Sequence, residues 1–225
     1  MKMLHKMLVV LAIVGLGVAL SGCGGGGSSD GGSAATSAYM PLAVGNEWQY
    51  KFTQVAQTAS VKGLKPRARG IMRTKQSNEN DIIRITGTEE IGGSTWYVRE
   101  ALYAGETEAV TLYARHAAQG LLIKEGLADE GYYLLKVPLT VGNTWTVPFE
   151  DESLTITGVD QTVVSNGVTY QGCVKVDDTI AAAGEPVDIL RSWYAPNIGE
   201  VRQERWYGQV LDYTYELVSH DLASD

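Results

Sequence analysis

Met40-Pro41-Leu42-Ala43-Val44-Gly45-Asn46-Glu47-Trp48-Gln49-Tyr50 returns 97 residues later as Val137-Pro138-Leu139-Thr140-Val141-Gly142-Asn143-Thr144-Trp145-Thr146-Val147. The Pro, Leu, Val, Gly, Asn and Trp are kept at the same places. A shared Pro-Leu-x-Val-Gly-Asn-x-Trp is too long and too rich in rare residue types to arise by chance. It divides residues 39–225 into two similar halves, 39–136 and 137–225. Pro fixes φ ahead of a strand, and Gly-Asn takes the left-handed angles of a tight turn. After the turn Trp48, Tyr50 and Phe52 alternate with Gln49 and Lys51. That period of two is a strand with its aromatics on one face, and Trp48 reads as a core anchor at one end of the sheet.

Working outward, Ile82 to Gly87 and Thr95 to Glu100 read as two strands joined through Gly92-Gly93, a hairpin. Further strands are expected through Val110-Thr111-Leu112-Tyr113-Ala114 and through Leu121 to Glu125, the latter closing the first half. The second half follows the same order. Leu154-Thr155-Ile156-Thr157-Gly158 answers Arg84-Ile85-Thr86-Gly87, and Ser165-Asn166-Gly167-Val168-Thr169-Tyr170 answers the Gly92 hairpin. Trp193-Tyr194-Ala195 answers Leu112-Tyr113-Ala114. In the last strand Leu211, Tyr213, Tyr215 and Leu217 share one face, with Asp212, Thr214 and Glu216 on the other. No stretch of ten or more residues has helical periodicity, and Gly184 and Pro186 interrupt the one candidate. The expected fold is all-β, an antiparallel meander of two pseudo-repeats forming a curled sheet or barrel.

Composition agrees. Twelve Tyr, five Trp and 26 Gly against two Phe suit a sheet with tight turns. The formal charge of −8 argues against nucleic acid as a partner, since a binder needs a basic face for phosphates. Two cysteines cannot form a disulfide framework.

The N-terminus has its own logic. Lys2 and Lys6 precede an apolar run from Met7 to Ala19, too short to span a bilayer as a mature helix but right for a secretory signal. The run ends in Leu20-Ser21-Gly22-Cys23, which resembles the lipobox of bacterial lipoproteins. That resemblance implies a signal peptide over 1–22, cleavage before Cys23, and lipid attachment at Cys23. Two or more acyl chains anchor a protein stably where one holds it marginally. Gly24 follows the Cys, where the Asp of inner-membrane retention would stand, which favours the outer membrane. Residues 23–38 form a Gly/Ser tether with no large apolar side chain, about 20 Å end to end as a flexible coil.

Few residues point to chemistry. Lys62, Lys65, Arg67, Arg69, Arg73 and Lys75 form a basic stretch without an acid, suited to an anionic lipid or glycan or to a solvated edge. His116 is expected in a loop and His220 lies near the end; neither has a second His or Cys close by, as a metal site would want. Cys173 falls out of phase with the neighbouring Val face, so it sits on a lightly covered face or at a bulge near Gly172. A nucleophile would need a base beside it, and no Gly-x-Ser-x-Gly elbow occurs. No catalytic, cofactor or metal residue is assigned.

The lipobox, the tether, the Pro-Leu-x-Val-Gly-Asn-x-Trp motif and Trp193-Tyr194-Ala195-Pro196-Asn197-Ile198-Gly199-Glu200-Val201-Arg202 together resemble a group of uncharacterised bacterial envelope lipoproteins. The resemblance implies an all-β domain over 39–225 and carries over no catalytic residue. The expected function is a non-enzymatic binding or scaffold module of the cell envelope. Its partners are the membrane, through the acyl anchor, and a lipid, glycan or envelope protein. An envelope hydrolase of glycans or esters, or a lipid carrier, is the alternative.

Overall fold

The computed structural model describes residues 35–55, 80–147, 152–181, 184 and 186–223. Among the described residues twelve strands form one antiparallel sheet that curls into a nearly closed barrel. In chain order they are β1 (Glu47–Gln54), β2 (Asp81–Ile91), β3 (Ser94–Leu102), β4 (Val110–Ala117), β5 (Gly120–Lys124) and β6 (Tyr132–Lys136). There follow β7 (Thr144–Thr146), β8 (Glu152–Ser165), β9 (Val168–Ile180), β10 (Asp188–Ala195), β11 (Gly199–Tyr207) and β12 (Val210–Asp221). Their order in the sheet is β6-β5-β4-β3-β2-β1-β12-β11-β10-β9-β8-β7. Two meanders are thus joined where β1 pairs with β12, with Glu47 opposite Asp221 and Gln54 opposite Tyr213. β6 and β7 are left as the edges.

The recurring motif makes the same turn in both places. Gly45 and Gly142 hold φ of +98° and +90°, which a residue with a Cβ rarely adopts. Gly45 N–H donates to the Ile85 carbonyl at 2.9 Å, and Gly142 N–H to Ile156 at 2.8 Å. Ile85 and Ile156 return the bond to the carbonyls of Asn46 and Asn143 at 2.9 Å each. The Asn46 amide donates to the Pro41 carbonyl at 3.0 Å and the Asn143 amide to the Pro138 carbonyl at 2.9 Å. The motif residues thus divide the work of the turn. Gly bends it, Asn staples it to the Pro carbonyl, and Trp48 and Trp145 enter the core. A bulge follows each docked Ile, between Ile85 and Gly87 in β2 and between Ile156 and Gly158 in β8.

The inward faces of both halves merge into one core. Trp48, Tyr50 and Phe52 are buried in alternation, as their spacing predicts, and stack with β12: Tyr50 lies 4.6 Å from Tyr215, nearly parallel, and Phe52 lies 5.1 Å from Tyr213. Both expected hairpins are present. Three readings need correction. β5 is not the last strand of its half; β6 follows, and its Tyr132-Tyr133-Leu134-Leu135 run lacks the alternation that marks a strand. His116 lies in β4, half-buried, not in an exposed loop. Packing also starts inside the stretch read as tether: residues 35–37 make a helical turn and Thr36 is fully buried.

Candidate functional site

One end of the barrel is plugged by the chain that leads into β1. Trp48 donates its indole N–H to Ile198 O at 2.6 Å, in the turn between β10 and β11. Met40 is buried beside it, and a Cβ at Gly199 would lie 3.2 Å from the Met40 sulfur. Ala38 O accepts from Asn197 N–H, and the Tyr39 hydroxyl donates to Gly172 O at 3.2 Å. His116 completes the plug: its Nε2–H donates to Met40 O at 3.0 Å and its Nδ1 faces the Thr36 hydroxyl at 3.2 Å. Burial lowers the His116 pKa, which favours the neutral ring that this pairing uses.

Beyond the plug lies a cavity of about 80 Å³. Its apolar wall comes from both halves and includes Ile83, Leu112, Leu154, Val176 and Leu190, with Val110, which is 46% exposed, also on its lining. Its polar wall is Arg99 on β3, Asp178 on β9, Ser192 and Tyr194 on β10, Glu200 and Gln203 on β11, and Tyr215 on β12. Gln203 donates its amide to Glu200 Oε1 at 3.1 Å and lies 3.3 Å from Ser192 Oγ. The Tyr50 hydroxyl donates to the Glu200 carbonyl at 2.8 Å. Burial raises the Glu200 pKa, against the hydrogen bond from Ser192 and the positive charge of Arg99, both of which lower it. Burial likewise holds the Tyr50, Tyr194 and Tyr215 hydroxyls in their neutral form. Three atoms of the wall stand apart from this network. Arg99 Nε, the Tyr215 hydroxyl and Asp178 Oδ1 have no hydrogen-bond partner among the described residues.

At the end away from the plug, Arg205 and Asp188 form a buried two-point ion pair, Nε to Oδ1 at 3.2 Å and Nη2 to Oδ2 at 2.9 Å. The two parallel bonds match guanidinium to carboxylate, a structural clasp between β10 and β11.

The residues singled out by sequence lie elsewhere. Cys23 and the basic stretch from Lys62 to Lys75 fall outside the described residues. The flanks of the basic stretch, Val55 and Asp81, stand at the strand ends opposite the plug. His220 is exposed on β12. Cys173 takes the bulge alternative: the register slips on both sides of its pairing with Gln161, Gly172 holds φ of +69°, and Cys173 and Val174 are both buried. Burial pushes its thiol up to about 11, away from a nucleophilic thiolate. None of the five tryptophans lines the cavity. Trp96 is covered by Arg115 at 4.9 Å and Lys124 at 4.8 Å, while Trp193 and Trp206 carry Lys175 and Arg191 at 5.5 and 5.0 Å.

Sequence reading missed Arg99 and Glu200. Arg99 had a signal, being in phase with Tyr97 and Ala101 on the inward face of β3. Glu200 had none. The register slips between Trp193 and Tyr194, so that Tyr194 faces Glu200 while Trp193 faces Arg202, and Glu200 turns inward next to inward Val201.

No protein-family model and no curated protein matches the chain. Two solved structures are similar to it. A Bacteroides fragilis protein described as exported, with a YmcC-like fold, superposes with a TM-score of 0.50 at 15% identity, over 82% of this chain and 99% of that one. A Parabacteroides distasonis protein described as a lipoprotein gives a TM-score of 0.39 at 13% identity, over 81% of this chain and 98% of that one. The first likeness is one of fold.

Proposed function

We propose that this chain is a lipid-anchored lipoprotein of the bacterial envelope, attached through Cys23, and that its barrel is a non-enzymatic binding module for a small solute. The observation that carries the binding reading is the cavity, walled by both halves and set with polar groups at one side. Its volume, about 80 Å³, is far below the roughly 300–1,000 Å³ of pockets for drug-sized ligands, which favours a small solute over a glycan or an acyl chain. The signal-like N-terminus with its terminal Cys supports the anchor, and Gly24 favours the outer membrane over the inner one. The buried plug at Thr36 and Met40 sets the end of the barrel from which the tether leaves. The paired hydrogen bonds of the two motif turns support descent of β1–β6 and β7–β12 from one six-strand unit.

The anchor is tested by labelling producing cells with radioactive palmitate. Label on the wild type and none on Cys23→Ser is expected; equal label on both overturns it. Binding is tested by native mass spectrometry and thermal unfolding of the acylated full-length protein in detergent micelles. A small solute retained at one per chain, or one that raises the unfolding temperature, is expected. A protein that retains none, and that no small solute of any charge stabilises, overturns the module.

A further inference from the structure

We propose that the cavity is a site for a short-chain carboxylate, held by the Arg99 guanidinium and the Tyr215 hydroxyl, with its carbons against Ile83, Leu154 and Val176. This rests on the reading of the barrel interior as a binding site.

The polar wall is unequal in what it offers. Glu200 is engaged: its Oε1 takes the Gln203 amide and its carbonyl takes the Tyr50 hydroxyl. Three buried atoms of this wall have no hydrogen-bond partner among the described residues: two donors, Arg99 Nε and the Tyr215 hydroxyl, and one acceptor, Asp178 Oδ1, whose side chain is engaged in other ways. Buried polar groups in folded proteins are nearly always paired, so two idle donors on one cavity mark the place of an acceptor. A guanidinium stays charged at any physiological pH and presents a planar fork that matches a carboxylate. Among the described residues Arg99 makes no ion pair, whereas Arg202 and Arg205 each have a carboxylate in contact.

Tyr215 cannot turn its hydroxyl away. It is 2% exposed and its ring is stacked flat on Tyr50. The Arg99 backbone is paired on both sides, with Ile85 in β2 and Leu112 in β4. The Tyr215 hydroxyl is thus placed before a ligand arrives, which lowers the ordering cost of binding.

Size and wall then narrow the class. About 80 Å³, at roughly 10–15 Å³ of such space for each water, holds on the order of half a dozen waters, so the occupant has a handful of non-hydrogen atoms. The rest of the wall is Ile, Leu and Val together with Tyr103 and Tyr132, and its aliphatic part suits methylene and methyl groups. Acetate and propionate meet both conditions. Inorganic phosphate, with more charge and no apolar part, does not.

The test is titration of the acylated full-length protein in detergent micelles with carbon-13-labelled propionate, followed by NMR, with phosphate and methylammonium as controls. Saturable binding of one propionate per chain, displaced by acetate and not by methylammonium, is expected. Arg99→Leu abolishes it, and Tyr215→Phe weakens it about tenfold, the loss of one hydrogen bond to a charged group. Because Tyr215→Phe removes only an unpaired hydroxyl, the free variant unfolds at the wild-type temperature or above, and it decides the matter if Arg99→Leu fails to fold. Propionate binding unchanged in Tyr215→Phe, or a wild-type cavity that holds water only, overturns the proposal. If propionate fails while a neutral or cationic solute is retained, the carboxylate site falls and the binding module stands; if nothing is retained, both fall.

Discussion

Trp48 and Ile198, 150 residues apart, are joined by an indole N–H to carbonyl hydrogen bond of 2.6 Å that ties the start of β1 to the turn between β10 and β11. Trp48 is 1% exposed, so the bond is shielded from water. Trp48→Phe keeps most of the apolar contact but leaves the Ile198 carbonyl unmet, at a cost of about 1–3 kcal/mol. Trp48→Ala adds a cavity and costs about 3–5 kcal/mol. Urea unfolding at constant slope measures both; a Phe variant as stable as wild type contradicts the assignment.

The two motif asparagines separate by burial. Asn46 is 1% exposed, donates to Pro41 O and accepts from Ala223 N–H at 2.8 Å. Asn143 donates to Pro138 O and Lys136 O, where water has access. Asn46→Ala removes a buried side chain that holds the Pro41 carbonyl and the Ala223 amide, and is expected to cost about 1–3 kcal/mol. Asn143→Ala costs about 1 kcal/mol or less, since water takes its place. Equal losses in thermal melts count against this ranking.

Glu200 gives stability a sign with pH. Its folded pKa is raised by burial above the ordinary 4.5. The folded protein therefore keeps a proton that the unfolded chain releases. The contribution is fully present below the unfolded pKa and is lost as pH rises through the folded one. Glu200→Gln, which keeps an acceptor for Gln203, removes that slope. The wild type minus Gln difference in unfolding free energy should fall as pH rises from the unfolded pKa towards neutrality; a difference that rises over that range shows the burial argument to be wrong.

Asp188 and Arg205 form a clasp whose halves are worth little alone. Asp188→Ala leaves a buried guanidinium and costs about 3–5 kcal/mol. Asp188→Leu with Arg205→Met replaces the pair by apolar groups of similar size and returns to within about 2 kcal/mol of wild type. Thermal unfolding of the single and double variants separates these cases, and a double variant as unstable as the single one refutes the account.

Cys173 is 0% exposed and its thiol is pushed up to about 11. In mildly alkaline buffer a thiol reagent reaches it only when the β8–β9 bulge opens. Labelling of the acylated protein should be slower in buffer than in urea by on the order of a hundredfold or more. Fast labelling in buffer places the thiol at the surface.

Much of the architecture could be read from short-range pattern. Trp48, Tyr50 and Phe52 announce a strand by alternation, and Gly92-Gly93 and Asn166-Gly167 announce hairpins, because both pairs hold positive φ at two successive residues. β6 escaped because both its faces are partly covered, which erases the alternation. Glu200 and Cys173 escaped for another reason: each sits beside an irregularity in register, and one extra residue reverses the facing of a side chain. His116 continues its strand past Ala114, and its partners, Thr36 and Met40, are 80 and 76 residues away.

Local sequence thus settled which segments are strands, where they turn, and that the Pro-Leu-x-Val-Gly-Asn-x-Trp turn is made twice. Those follow from φ preferences and a two-residue period, which act over a few positions. That Arg99 and Tyr215 line one cavity, and that Trp48 meets Ile198, waits on β1 finding β12 across the length of the chain. Nothing within either strand encodes that pairing by itself. It comes from burying both aromatic faces at once, and the cavity is the space left when they close.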